Sequence, residues 1–76
     1  MQTIHRIEAI ESRAQEINLE LARLCRLADV DYSTVWRWKT GASRPLLHNF
    51  ETVTRKLDAK LEELETAIVE RIQKAS

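Results

Sequence analysis

Apolar residues recur along this chain at helical spacing. Ile4, Ile7, Ile10, Ala14 and Ile17 step by three or four, which predicts a first helix from Thr3 to about Ile17 with a single apolar stripe. Arg6, Glu8, Glu11, Arg13 and Glu16 fall on its other side. Leu21, Leu24, Cys25 and Ala28 repeat the spacing over a shorter segment, about Leu19 to Ala28, with Arg23 and Arg26 pointing outward. Asn18 is positioned as its N-cap, and Glu20 lies at its positive end. Asp29-Val30-Asp31 then breaks the pattern. Val30 is placed to plug the gap between two helices, and Asp31 to cap the next by accepting backbone N–H bonds near Ser33 and Thr34.

The third helix spans Tyr32 to Thr40. Val35 and Trp38 are its inward pair, and Tyr32, Ser33, Trp36, Arg37 and Thr40 face outward. Gly41 supplies a left-handed exit, and Pro45 blocks further helix. From Leu46 to Ala75 there is neither Gly nor Pro, and Phe50, Val53, Leu57, Leu61, Leu64, Ile68 and Ile72 recur by three or four. That predicts one continuous helix over 46–75, roughly 45 Å long at the standard rise. Its first part completes a core. The rest, from Leu61 to Ile72, needs further cover from the first helix and from a second subunit. Leu61, Leu64, Ile68 and Ile72 are therefore expected at a dimer interface, in bundle packing because the heptad run is short for a free coiled coil.

Composition narrows this to an all-α chain. With 76 residues the chain is a single domain, 1–76, whose small core calls for oligomerisation or tight helix packing. One Gly and one Pro, both in the stretch 41–45, leave little turn vocabulary for hairpins. The single Cys25 excludes an internal disulfide and a multi-Cys zinc site; at an apolar helical position it reads as a small core residue. No long apolar run marks a signal peptide or membrane span, so the expected location is cytoplasmic, at the nucleoid.

The formal charge is zero, but its distribution is uneven. Residues 1–22 carry two basic and four acidic side chains, residues 23–45 five and two, and residues 46–76 five and six, for nets of −2, +3 and −1. The positive excess coincides with two short helices joined by a tight turn, the sequence form of a helix-turn-helix, here 19–40.

Leu24-Cys25-xx-Ala28-Asp29-Val30, followed by Ser33-Thr34-Val35-x-Arg37-Trp38-xx-Gly41-xxx-Pro45, resembles the Cro/repressor-type helix-turn-helix family, also called the xenobiotic-response-element family. The likeness covers about residues 18–57. Leu24, Ala28, Val30, Val35 and Trp38 fit its packing pattern, and Gly41 and Pro45 fit the exit from its recognition helix. Two positions depart from it: Cys25 stands where a small residue is usual, and Asp29 where the turn glycine is, a residue that tolerates left-handed backbone. There is also no break after the fourth helix, where compact members begin a fifth.

The resemblance implies a lambda-repressor-like domain acting as a DNA-binding transcriptional regulator, a small phage-like or bacterial repressor. Helix 32–40 would enter the major groove of double-stranded DNA from a homodimer. It places Tyr32, Ser33, Trp36, Arg37 and Thr40 at base-contact positions. Arg37 leads them, since a guanidinium bonds bidentately to guanine O6 and N7. Arg23, Arg26, Lys39 and Arg44 fall at phosphate contacts.

Blander readings stand beside these. Arg37 also suits an ordinary solvated arginine, and Trp36 suits DNA, a protein partner or the core. Trp38 reads as core. Asp31 reads as a cap whose charge also repels misplaced phosphates. His5 and His48 carry no assignment. A second function class keeps the fold as a protein-interaction module, antirepressor-like or antitoxin-like, using Trp36 and the neutral overall charge. A purely structural bundle leaves the wet aromatic-basic face of helix three unexplained. An enzyme is not expected, because no phosphate-binding Gly-rich loop, metal-ligand cluster or activated nucleophile is present. No cofactor, metal, small-molecule ligand or membrane partner is expected either.

Overall fold

The computed structural model describes residues 2–75. Among them the chain is all-helical: α1 (Gln2–Glu16), α2 (Leu21–Leu27), α3 (Tyr32–Thr40) and α4 (Leu47–Ala75). The first three lie within a residue or two of the predicted spans, α3 matching its span, and α4 is the single long helix expected. It makes the molecule elongated, 46 Å along its longest axis and 18–19 Å across.

One backbone device closes each of the three short helices. Asn18, Asp29 and Gly41 adopt left-handed backbone at φ 58°, 59° and 80°. After each, the chain folds back onto its own helix end. Leu19 N–H bonds Ala14 C=O at 2.9 Å, Val30 N–H bonds Cys25 C=O at 2.8 Å, and Ala42 N–H bonds Arg37 C=O at 2.9 Å. These are the six-to-one bonds of a Schellman turn, which satisfy carbonyls a helix would leave orphaned. Asn18 is thus the terminator of α1, not the N-cap of α2. The residue preceding α2 is Glu20, which makes no side-chain capping bond. Asn won this position because a short polar side chain tolerates left-handed backbone, a property as strong in Asn as its capping preference.

The core runs along the line where α1, α2 and α3 meet α4. Ile7, Ile10, Ala14, Leu24, Cys25, Val35, Leu57 and Leu61 are sealed within it, with Leu19, Leu21 and Trp38 nearly so. Trp38 packs against Phe50, ring centroids 5.9 Å apart and tilted by 58°, an arrangement that aligns ring edge with ring face. Among the described residues Thr54 is the buried polar one. Its hydroxyl donates to the Phe50 carbonyl at 2.8 Å, so it enters the core already satisfied.

α1 is the hub. Arg6 and Arg13 both engage Asp58 on α4, Arg13 at 3.3 Å, and Arg13 also reaches Glu65 at 2.8 Å. Lys39 on α3 holds Glu11 on α1 at 2.8 Å. Half-exposed pairs of this kind contribute about 0.2–1 kcal/mol each, and they act more on register than on stability.

Candidate nucleic-acid interface

α3 is the element around which a surface is built. Its seat is fixed from both ends. At the start, Asp31 Oδ1 accepts the Ser33 N–H at 3.1 Å, and Asp31 Oδ2 accepts the Thr34 hydroxyl at 3.0 Å. This is the cap the sequence predicts. At the exit, Gly41 turns the chain away. Between them Val35 and Trp38 are buried, one turn of helix anchored inward.

The opposite face is bare. Tyr32, Ser33, Trp36, Arg37 and Thr40 are all exposed, Tyr32 at 39% and Trp36 at 48%. The burial excludes the core reading of Trp36. Arg37 Nη2 makes one long hydrogen bond, 3.5 Å, to the Thr34 hydroxyl. With Thr34 held by Asp31, a chain of three side chains leads from the cap to this guanidinium. No carboxylate forms an ion pair with Arg37 among the described residues, so its charge and its fork of donors are available to a ligand. The Thr40 hydroxyl donates to the Arg37 carbonyl at 3.3 Å, which leaves its methyl free to face outward.

The four cations expected at phosphates separate into three groups. Arg26 and Arg44 are exposed and make no ion pair among the described residues. Lys39 is engaged: Glu11 takes its ammonium in a two-oxygen grip, 2.8 and 2.9 Å. That hydrogen bond raises the lysine's pKa, against a smaller opposing effect of burial. A phosphate would have to displace Glu11 to reach it. Arg23 stands elsewhere, on the wall of a groove beside Leu27, Ala67 and Ile68, on the α4 side of the molecule.

The positions expected at a dimer interface separate as well. Leu61 is fully buried in the chain's own core, so it completes the protomer and has no surface to offer. Leu64 is half-buried against that core. Ile68 and Ile72 are exposed, at 39% and 64%. The stripe is continuous in sequence, but α1 and α2 cover only its first half. Leu27, at 43% exposure, escaped the sequence reading. Its signal was an apolar side chain off the inward stripe of α2, one turn from Arg23.

No protein-family model, curated protein or solved structure matches this chain. Among the described residues no helix is long and apolar enough to cross a membrane, and no group of three or more His, Cys, Asp or Glu side chains is arranged to hold a metal ion. Cys25 is buried. Burial, helped by the charge of Asp31, pushes its thiol from 9.0 up to about 11, which leaves it a poor nucleophile at neutral pH.

Proposed function

We propose that the chain is a sequence-specific double-stranded DNA-binding transcriptional regulator, a small repressor of phage-like or bacterial type. In this reading the fold is lambda-repressor-like, with α2 and α3 as its helix-turn-helix. The observation that carries it is the two-sided build of α3. Val35 and Trp38 hold the rod, and the face turned away from them carries Tyr32, Trp36 and an Arg37 with no carboxylate partner among the described residues. In the groove, Arg37 would read guanine. Tyr32, Trp36 and the Thr40 methyl would pack on thymine methyls or sugars, and Ser33 would bond a base edge or phosphate. Arg26 and Arg44 would take backbone phosphates.

The chain's zero net charge removes general attraction to polyanions, so affinity would rest on these few local contacts. The test is a salt titration of binding to sequences selected from random duplex DNA. Arg37→Ala is expected to cost about 1–3 kcal/mol and relax preference at one base pair. Arg26→Ala or Arg44→Ala is expected to weaken all sequences evenly and flatten the salt slope by about one unit. Absence of duplex binding at low salt would refute the proposal. It would favour instead a protein-interaction module, antirepressor-like or antitoxin-like, for which the exposed Trp36 would be the anchor.

A further inference from the structure

Of the two cations on α3, Arg37 is open and Lys39 is held. Glu11 of α1 reaches across the helix junction and sets its two carboxylate oxygens 2.8 and 2.9 Å from the Lys39 ammonium. Both side chains are partly withdrawn from water, at 33% and 22% exposure. The bond from Glu11 is the largest influence on the lysine and holds its pKa above the ordinary 10.5, against a smaller effect of burial. Tyr32 on α3 and Glu8, one turn before Glu11 on α1, act in the same direction more weakly.

Lys39 lies three residues after Trp36 and seven after Tyr32, a spacing that keeps all three on one side of the helix. That side is the edge of the exposed face turned toward α1. A helix is about 10–12 Å across with its side chains, and the major groove about 12 Å wide, so residues at the helix edges come beside phosphates. A lysine at such an edge is a natural partner for a phosphate, yet this one already has an anion in a two-oxygen grip. Exchanging carboxylate for phosphate leaves Lys39 no better satisfied. It also leaves Glu11 unpaired beside the incoming charge.

We infer that Glu11 is a built-in stand-in for phosphate, which occupies Lys39, withholds it from the DNA backbone and so keeps sequence-blind affinity low. The inference rests on the DNA-binding reading of α3 and adds to it a regulating residue on α1, outside the helix-turn-helix. Its physical ground is counterion release. A phosphate that meets a free lysine sheds a condensed cation, whereas one that meets a neutral lysine–glutamate pair sheds none. With zero net charge on the chain, backbone attraction then comes from few cations, and the contacts that read sequence are not swamped by those that do not.

The test is binding to a random-sequence duplex, followed by fluorescence anisotropy from about 50 to 200 mM salt. Four proteins are compared, with circular dichroism confirming the fold of each: wild type, Glu11→Gln, Glu11→Gln/Lys39→Gln, and Glu16→Gln, which removes the same charge from an exposed position of α1. Glu11→Gln is expected to bind more tightly at the low end and to steepen the salt slope by about 0.9, an extra loss of about 3.5-fold over that fourfold range. The double variant should return to the wild-type slope, and Glu16→Gln should stay near it. A second readout needs no DNA: the Lys39 pKa, followed by NMR of labelled lysine, should fall toward 10.5 in Glu11→Gln. An unchanged Lys39 pKa overturns the inference. So does a wild type that binds duplex with a slope Glu11→Gln leaves alone, or a steepening that persists without Lys39 or appears equally in Glu16→Gln. If none of the four binds duplex at low salt, the DNA-binding reading itself fails and the inference falls with it.

Discussion

Replacing Gly41 by Ala isolates the cost of the left-handed exit from α3. Gly41 sits at φ 80°, where a Cβ strains the backbone by about 1–2 kcal/mol. Space does not add to that cost. A Cβ built there meets only Ile4 Cδ1, at 3.7 Å, an ordinary contact. Loss of glycine's freedom in the unfolded chain returns about 0.4–1 kcal/mol. The expected net loss is thus about 1 kcal/mol, read as a fall in melting temperature of about 4–8 °C for a domain of this size. Gly41→Asn is the control. Asn18 already holds the equivalent turn after α1 at φ 58°, so Asn at position 41 should cost only a few tenths of a kcal/mol. The assay is thermal and urea unfolding of the three proteins at one low concentration. If Ala equals Gly, or if Asn is as damaging as Ala, backbone handedness is not what Gly41 supplies.

Two further outcomes follow from burial. Leu61→Ala should destabilise the dilute protein by about 2–5 kcal/mol, a large share of a small domain's total, whereas Ile72→Ala should move it by less than about 0.5 kcal/mol; comparable losses in urea melts would contradict the division of the α4 stripe. Stability should also fall as pH rises from 9 to 11. The Cys25 thiol ionises at 9.0 when unfolded and at about 11 when folded, so only the unfolded chain releases its proton in that window. The loss is roughly 2–3 kcal/mol and should vanish in Cys25→Ala. The raised Lys39 acts in the same sense above its ordinary 10.5, because the unfolded chain gives up that proton first. Urea midpoints against pH, in both proteins, check the slope.

Helix spacing made the architecture legible. Ile7, Ile10 and Ala14 of the α1 stripe, Leu21, Leu24 and Cys25 of the α2 stripe and the Val35–Trp38 pair became the buried residues, with Ile4, Ile17 and Ala28 at the stripe ends only partly buried, because a period of three or four has only one inward side. Asp31 and Gly41 were legible because each does a local task that few residues do. What escaped was either degenerate locally or remote in sequence. Asn serves equally before a helix and after one, so Asn18 read as a start when it is a stop. The ion pairs between helices join residues 28 to 52 places apart, beyond any periodicity, so Lys39 read as a free cation when Glu11 holds it. The α4 stripe carries no mark where its cover ends. Leu61 and Ile72 look alike in sequence and differ only because α1 and α2 run out between them.

The hub role of α1 sets an order on events after synthesis. α1 precedes the other three described helices, yet the carboxylates that clamp it, Asp58 and Glu65, and the leucines that close its core, Leu57 and Leu61, come with α4. Loop closure over such a separation must precede any reward from those contacts. Until α4 is made, α1 and α3 can meet, but Phe50, Leu57 and Leu61 are not there to close the core over Trp38. The full seat of α3 therefore forms only once the first half of α4 is in place.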